Sequence, residues 1–326
     1  MDSKNNLQNK GGQGLVTGGK EKKKEKKYYG KLLILIIFIV LSIEYYAYVF
    51  EVMLKFMTQK NFNLILALLI IFHLLILLLL MAFISTMSTN PGEIPLYWGF
   101  YIGDDDYKRK RYCLICNAFK PERSHHCSVC NICVLNMDHH CPWVDNCIGF
   151  YNRKFFMQLL FFVVFLTIYV DISEIYFILN MALRLFKKHI RYSEFFHVGF
   201  VIICYLAVLI FSFIITMFLK FHIKLVLNNS TTIESLDTEH KKENQKFNLT
   251  QRENWEQVFG SDALFWFFPI PTKKGRPEGD GLTWRTNEST LDSNIKMDES
   301  HNKKYGSNNY DTNFNSNNIP ISAPTK

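Results

Sequence analysis

The chain has 326 residues, is 48 % apolar with 29 phenylalanines, and carries a formal net charge of +8. That length leaves room for about two soluble domains. The composition excludes them, because the apolar residues gather into long blocks.

In chain order, residues 1–30 read as a disordered basic cytosolic tail. It is polar, holds several glycines and ends in the run "KEKKKEKK" (20–27), and it has too little apolar surface to offset the entropy of ordering. Such a run also favours anionic lipid, by roughly 1 kcal/mol per basic residue near the surface. No signal-peptide cleavage site follows it. Residues 31–86 hold two apolar spans. The first, 32–52, is interrupted only by Glu44, and the second, 63–85, lies in a stretch without charge from Lys60 to Glu93. A bilayer crossing needs about 20 apolar residues. Two more spans follow in 155–221, at 155–178 and 196–219. Glu44 and Asp171 fall late in their spans, which suits acids near the interface.

The sequence therefore predicts an all-α polytopic membrane protein with four transmembrane helices. A cysteine-rich segment, 87–154, lies between helices 2 and 3. The basic amino terminus places both termini and this segment on the cytosolic side, although the loop "RLFKKHIRYSE" (184–194) is basic as well. A reducing cytosol keeps thiols free, and seven of the eight cysteines lie in 113–147. Cys204, inside the fourth span, reads as a small packing residue. Sequons at Asn228, Asn229, Asn248 and Asn287 would then carry no glycan. Residues 222–287 form a cytosolic carboxy-terminal segment, and 288–326, rich in asparagine and serine, a second disordered tail.

The cysteines are spaced Cys113-x2-Cys116, Cys127-x2-Cys130-x2-Cys133, Cys141 and Cys147, with His125, His126, His139 and His140 among them. Such CxxC pairs with histidines are a strong zinc signal. A segment this polar has no hydrophobic core of its own, so metal binding would supply its folding energy. Two tetrahedral sites of three sulfurs and one imidazole use six cysteines. Seven are present. The surplus one reads as Cys141, because it directly follows Asp138, His139 and His140. A thiol with a pKa of about 8.5 is mostly protonated in the cytosol. His139 can take its proton, and Asp138 can orient that imidazole. His140 is then free for metal. Spacing alone separates neither His125 from His126 nor interleaved from sequential sites.

The pattern C-x2-C-x9-HC-x2-C-x2-C-x4-DHHC-x5-C, between two pairs of spans, resembles the cysteine-rich domain of the DHHC protein S-acyltransferases. Thr231-Thr232-Ile233-Glu234 is similar to the family's TTxE motif, and "NWEQVFG" (254–260) to its carboxy-terminal motif around an asparagine, here Asn254. "NPG" (90–92) stands where the family has DPG, with Asn90 as the departure. The resemblance covers about 30–290. It implies one zinc on Cys113, Cys116, His126 and Cys133, a second on Cys127, Cys130, His140 and Cys147, and a catalytic set of Cys141, His139 and Asp138. It also places a basic surface, with Lys120 and Arg123 in "KPER", within reach of coenzyme A phosphates. The implied cofactors are two structural Zn2+, with fatty acyl-CoA (palmitoyl-CoA) as co-substrate. The implied partners are membrane-associated proteins with cysteines near the bilayer; no nucleic acid is expected. The implied location is an endomembrane of the Golgi or ER, with the plasma membrane or a specialised organelle as alternatives.

Blander readings stand beside these. Thr231-x-x-Glu234 is also a capping box. Trp255, Phe259, Phe265, Trp266 and Phe267 serve equally as core or as a membrane-interface dock, and Trp143 as a neighbour of the thioester or as support beneath its loop. A zinc-domain scaffold has no use for Cys141 and its Asp-His neighbours. A zinc transporter would want ligands inside the spans, where His73 and His197 are isolated. With Cys141 fourteen residues before Phe155, an acyl chain on its sulfur would end between the helices near Phe165–Tyr169, roughly 15–20 Å deeper.

Overall fold

A computed structural model describes residues 17–95, 98–99, 111–187, 192–240 and 245–287. Four long helices dominate. The first, α1, spans Thr17–Tyr45 and continues through a π-helical stretch, Tyr46–Met53, to a last turn at Leu54–Phe56. The others are α2 (Phe62–Ser88), α3 (Arg153–Phe186) and α4 (Tyr192–Leu227). Their apolar portions, Tyr29–Phe56, Phe62–Ser88, Arg153–Arg184 and Phe195–Leu227, have mean hydropathies of 2.4, 3.3, 2.2 and 2.9, and each is long enough to cross a membrane.

The central helix is α3. In its most apolar window 56 % is buried, against 17–22 % for the other three. The outer helices instead expose large apolar groups such as Leu64, Ile203 and Phe213. In water that would be a liability, but it suits contact with lipid. One core packs Tyr48, Val52, Phe72, Phe162, Leu166 and Val170 together, and a second packs Phe83, Phe156, Leu160 and Leu219 near the cysteine segment.

Three expectations change. Asp171 and Glu44 sit near the middle of their apolar helices, because α1 and α3 both run on past them. Glu174, one turn beyond Asp171, is buried. The lysine run assigned to the amino-terminal tail lies in α1, which begins at Thr17. Residues 1–16 and 288–326, the rest of the two tails, and Lys188–Arg191 of the basic loop lie outside the described residues. The fold is mostly helical rather than all-α, because the cysteine segment forms three short hairpins. These pair β1 (Tyr112–Cys113) with β2 (Ala118–Phe119), β3 (His125–Cys127) with β4 (Ile132–Val134), and β5 (His139–Cys141) with β6 (Asn146–Ile148).

The hairpins are fastened to the helices through otherwise orphan helix-end carbonyls. The Asn146 amide donates to the carbonyls of Thr86, Met87 and Thr89 at the end of α2, at 3.0–3.2 Å. Asn152 bridges Thr86 and Cys147. At "NPG" the Asn90 side chain accepts from the Gly92 and Glu93 amides. An aspartate would accept the same two bonds, so the departure at this position leaves the turn intact.

Beyond α4 come α5 (Thr232–Leu236) and α6 (Gln251–Phe259), each opened by a complete capping box, Thr231/Glu234 and Thr250/Glu253. Asn254 is fully buried and ties α6 to α4 by donating to the Leu227 carbonyl at 2.8 Å. Gly260 ends α6 at φ +81°, and a β-carbon there would stand 2.7 Å from the Arg276 carbonyl oxygen.

Candidate active site

The three hairpins are built alike. Cys113 pairs with Ala118, Cys127 with Ile132 and Cys141 with Asn146. Each turn holds one left-handed residue, Asn117, Asn131 or Asp145, with φ between 46 and 59°, the conformation that Asn and Asp tolerate best. Corresponding residues recur every fourteen positions: Cys113, Cys127 and Cys141; Cys116, Cys130 and Val144; Tyr112, His126 and His140; Phe119, Cys133 and Cys147.

Each Cys pair of one hairpin meets the His and the later Cys of the next. Cys113, Cys116, His126 and Cys133 form one group, and Cys127, Cys130, His140 and Cys147 another, with donor atoms in each group within 4.8 Å of one another. His126 Nδ1 lies 3.7, 3.2 and 3.8 Å from the sulfurs of Cys113, Cys116 and Cys133. His140 Nδ1 lies 3.4 and 3.7 Å from those of Cys130 and Cys147. A tetrahedral zinc with ordinary bond lengths separates sulfur from nitrogen by about 3.5 Å. The donor sets therefore fit such an ion. The groups interleave, and His125 belongs to neither.

The third hairpin has no hairpin after it and carries Val144 where its second cysteine would stand. Cys141 is thus left out of both groups. Its thiol is buried in the apolar cluster of Phe83, Val144, Phe156, Met157 and Leu160, at the end of the helix bundle. Trp143 is 53 % exposed, so it does not lie beneath the loop.

Asp138 and His139 adjoin this thiol. The His139 Nδ1–H donates to Asp138 Oδ2 at 2.7 Å, which leaves Nε2 for Cys141. Burial alone would lower the His139 pKa, but hydrogen bonds with Asp138 and with Cys141 raise it to about 9. Burial works against the Asp138 charge, yet the Arg153 guanidinium and His139 hold its carboxyl below the usual carboxylate range. Its other oxygen, Oδ1, accepts from the Thr232 amide at 3.0 Å and lies 3.4 Å from Arg153 Nη2. The Thr232 hydroxyl donates to the Asp138 carbonyl at 2.6 Å. The TTIE stretch thus caps α5 and anchors the carboxylate at once. Sequence reading missed Arg153, for which a charge at the start of an apolar helix was the available signal.

One expectation fails. Arg123 is 4 % exposed and belongs to no phosphate-binding surface. Its guanidinium binds both Glu234 oxygens at 2.7 and 2.8 Å and Asn229 at 2.9 and 2.6 Å. Its Cζ also lies over the rings of Phe247 and Trp284, at 4.6 and 4.4 Å. Burial would raise the Glu234 pKa, but Arg123 pulls it below the ordinary value. Arg123 is thus a clasp joining the cysteine segment to the carboxy-terminal segment, with four of its five N–H donors committed to Glu234 and Asn229.

Comparison with known proteins agrees with this geometry. A family model described as DHHC palmitoyltransferase matches residues 106–239. Probable protein S-acyltransferase 13 of Arabidopsis thaliana is 33 % identical over 237 residues, covering 65 % of this chain and 75 % of the relative. Probable protein S-acyltransferase 14 of the same plant is 32 % identical, with coverages of 75 and 87 %. Palmitoyltransferase ZDHHC20-A of Danio rerio is 32 % identical, with coverages of 78 and 77 %.

Proposed function

Because the chain belongs to the DHHC palmitoyltransferase family and is a protein S-acyltransferase, we propose that it works in two steps through an acyl-enzyme on Cys141. The observation that carries this reading is the third hairpin. It keeps the first cysteine of the repeat, replaces the second with Val144 and sets Asp138 and His139 beside the freed thiol.

In the first step the Cys141 thiol gives its proton to His139 Nε2, and the thiolate attacks the thioester carbon of a fatty acyl-CoA. The bond from carbon to the coenzyme A sulfur breaks, and that sulfur takes the proton from His139. In the second step the thiol of a substrate cysteine gives its proton to His139 and attacks the acyl carbon. The Cys141 sulfur leaves and is protonated again. One thioester replaces another, so no nucleotide is consumed. Asp138, fixed by Thr232 and Arg153, keeps His139 in one tautomer and stabilises its charged form.

Two zinc ions, one on Cys113, Cys116, His126 and Cys133 and one on Cys127, Cys130, His140 and Cys147, would supply the folding energy of the hairpins. The active site faces the cytosol, with both termini on that side, in a Golgi or ER membrane. A single acyl chain gives only marginal membrane affinity, so the acylated proteins are ones already near the bilayer.

The acyl chain runs from Cys141 between the helices. On α3, Phe165 and Ile168 point outward, while Leu166 is buried. Deeper, Tyr48 meets Ser173 at 3.0 Å and the Tyr169 hydroxyl donates to the Leu68 carbonyl at 2.7 Å, which ties three helices together. That tie is the floor, roughly 20 Å along α3 from Phe156. Leu166→Trp should therefore shift the preference toward shorter chains in competition between acyl-CoA thioesters; an unchanged preference would place the chain elsewhere. For the chemistry itself, purified protein incubated with labelled palmitoyl-CoA should acquire a hydroxylamine-sensitive label. Cys141→Ser should lack that label, and its persistence would refute the acyl-enzyme.

A further inference from the structure

The buried histidine of α4, His222, is not used by the mechanism above. It is 1 % exposed, and its Nδ1 has no hydrogen-bond partner among the described residues. Its ring is boxed by Phe218, Phe156 and Phe221, with centroids 4.5, 5.0 and 5.3 Å away. The fourth side of the box is the His139 ring, at 5.8 Å. A buried polar nitrogen without a partner costs stability, and a leucine or phenylalanine would fill an aromatic box without that cost. The nitrogen must therefore face something that matters.

It faces Asp138. Nδ1 lies 4.0 Å from Oδ2, the same oxygen that accepts the His139 Nδ1–H. Each carboxylate oxygen takes about two donors. Oδ1 has Thr232 and Arg153, whereas among the described residues Oδ2 has a hydrogen bond from His139 alone. The two α4-proximal donors, His222 and Thr232, are ten residues apart in the chain, one approaching each oxygen. A side-chain shift of about 1 Å brings His222 Nδ1 into hydrogen-bond range of Oδ2.

We propose that His222 is a positioning residue for acyl transfer: its Nδ1–H is the second donor to Asp138 Oδ2 and keeps the carboxylate aimed at His139 while the proton passes to and from Cys141. This rests on the reading of Asp138, His139 and Cys141 as the catalytic set. His222 touches neither the thioester nor the thiol, and its effect travels through Asp138.

The test compares three variants of the full-length, zinc-loaded protein by single-turnover labelling with palmitoyl-CoA, with zinc content and melting temperature measured in parallel. Asparagine places an N–H donor where the imidazole Nδ1 stands, glutamine places one nearer Nε2, and leucine fills the box with no donor. His222→Leu and His222→Gln should slow acylation at saturating palmitoyl-CoA by about tenfold or more, as a misaimed catalytic group does. The half-saturating concentration should not change. His222→Asn should stay within about threefold of the unaltered protein on the same ground. Wild-type rates in His222→Leu, or equal losses in the asparagine and glutamine variants, would overturn the proposal. If the leucine variant loses zinc, the comparison of asparagine with glutamine still decides. A residual label in Cys141→Ser would refute the catalytic set itself, separately from the part played by His222.

Discussion

The second and third hairpins of the cysteine segment start from the same plan and end with different chemistry. In the second, Cys127 and Cys130 both turn toward His140 and Cys147 of the hairpin that follows. In the third, Cys141 stands in the place of Cys127, but Val144 stands in the place of Cys130, and the chain then enters α3 instead of another hairpin. One changed residue type and the end of the repeat together release a thiol. The backbone that would have held it as a ligand holds it still beside His139. The difference shows how a repeat of metal-capable hairpins leaves one cysteine outside both ligand groups: remove the partners and keep the turn.

The largest effects should come from exchanging corresponding cysteines. Cys127→Ser should lose zinc and most of the folded protein, since breaking a structural site removes folding energy. Cys141→Ser should keep two zinc ions per chain and melt near the temperature of the unaltered protein. Zinc analysis and thermal melting separate the two, and zinc loss in Cys141→Ser would make it a ligand after all.

The paired histidines sharpen the same division. His140→Ala should lose zinc and fold poorly. His139→Ala should retain zinc but acylate itself about 10²–10⁴-fold more slowly, the usual worth of a positioned general base. Its activity should partly recover as pH rises toward the ordinary thiol pKa, where thiolate forms unaided. Equal zinc loss in both would end the assignment of separate roles.

Val144→Cys restores the missing half of the pair. The third hairpin should then capture added zinc between Cys141 and the new thiol, which would slow acylation by about tenfold at a zinc concentration harmless to the unaltered protein, because a coordinated thiolate is no longer free to attack. A chelator too weak to strip the other two sites should reverse the loss. Insensitivity to zinc would mean that the third hairpin no longer keeps the knuckle geometry.

The smallest effect should fall on the turns. Asn131→Gly and Asp145→Gly replace residues at φ 59 and 46° with the one residue that adopts this region freely. Both should change stability by less than about 0.5 kcal/mol in chemical denaturation. A large loss at Asp145 alone would trace to its close packing against Gly30, where a β-carbon would lie 2.1 Å from Asp145 Oδ1.

Much of the site was legible because it is local. Cysteine spacing announced metal, and the surplus thiol followed from counting. The choice of His126 over His125 and the interleaving of the two groups were not legible there, because the fourteen-residue period relates His125 to His139 as well as His126 to His140. The packing of successive hairpins decided both.

Length and hydropathy by themselves also determined the four long helices, because an apolar run of that size has few other folds open to it. The tertiary structure alone decided what the charged residues do. Arg123 meets Glu234 across 111 positions, and Asp138 meets Thr232 across 94. Nothing in the local pattern of "KPER" separates a solvated arginine from one buried against Phe247 and Trp284. Periodicity reports which way a side chain faces along its own element. A buried charge is specified by whatever partner the packing of distant elements brings to it, and that is settled only when α3, α4 and the carboxy-terminal segment close around the hairpins.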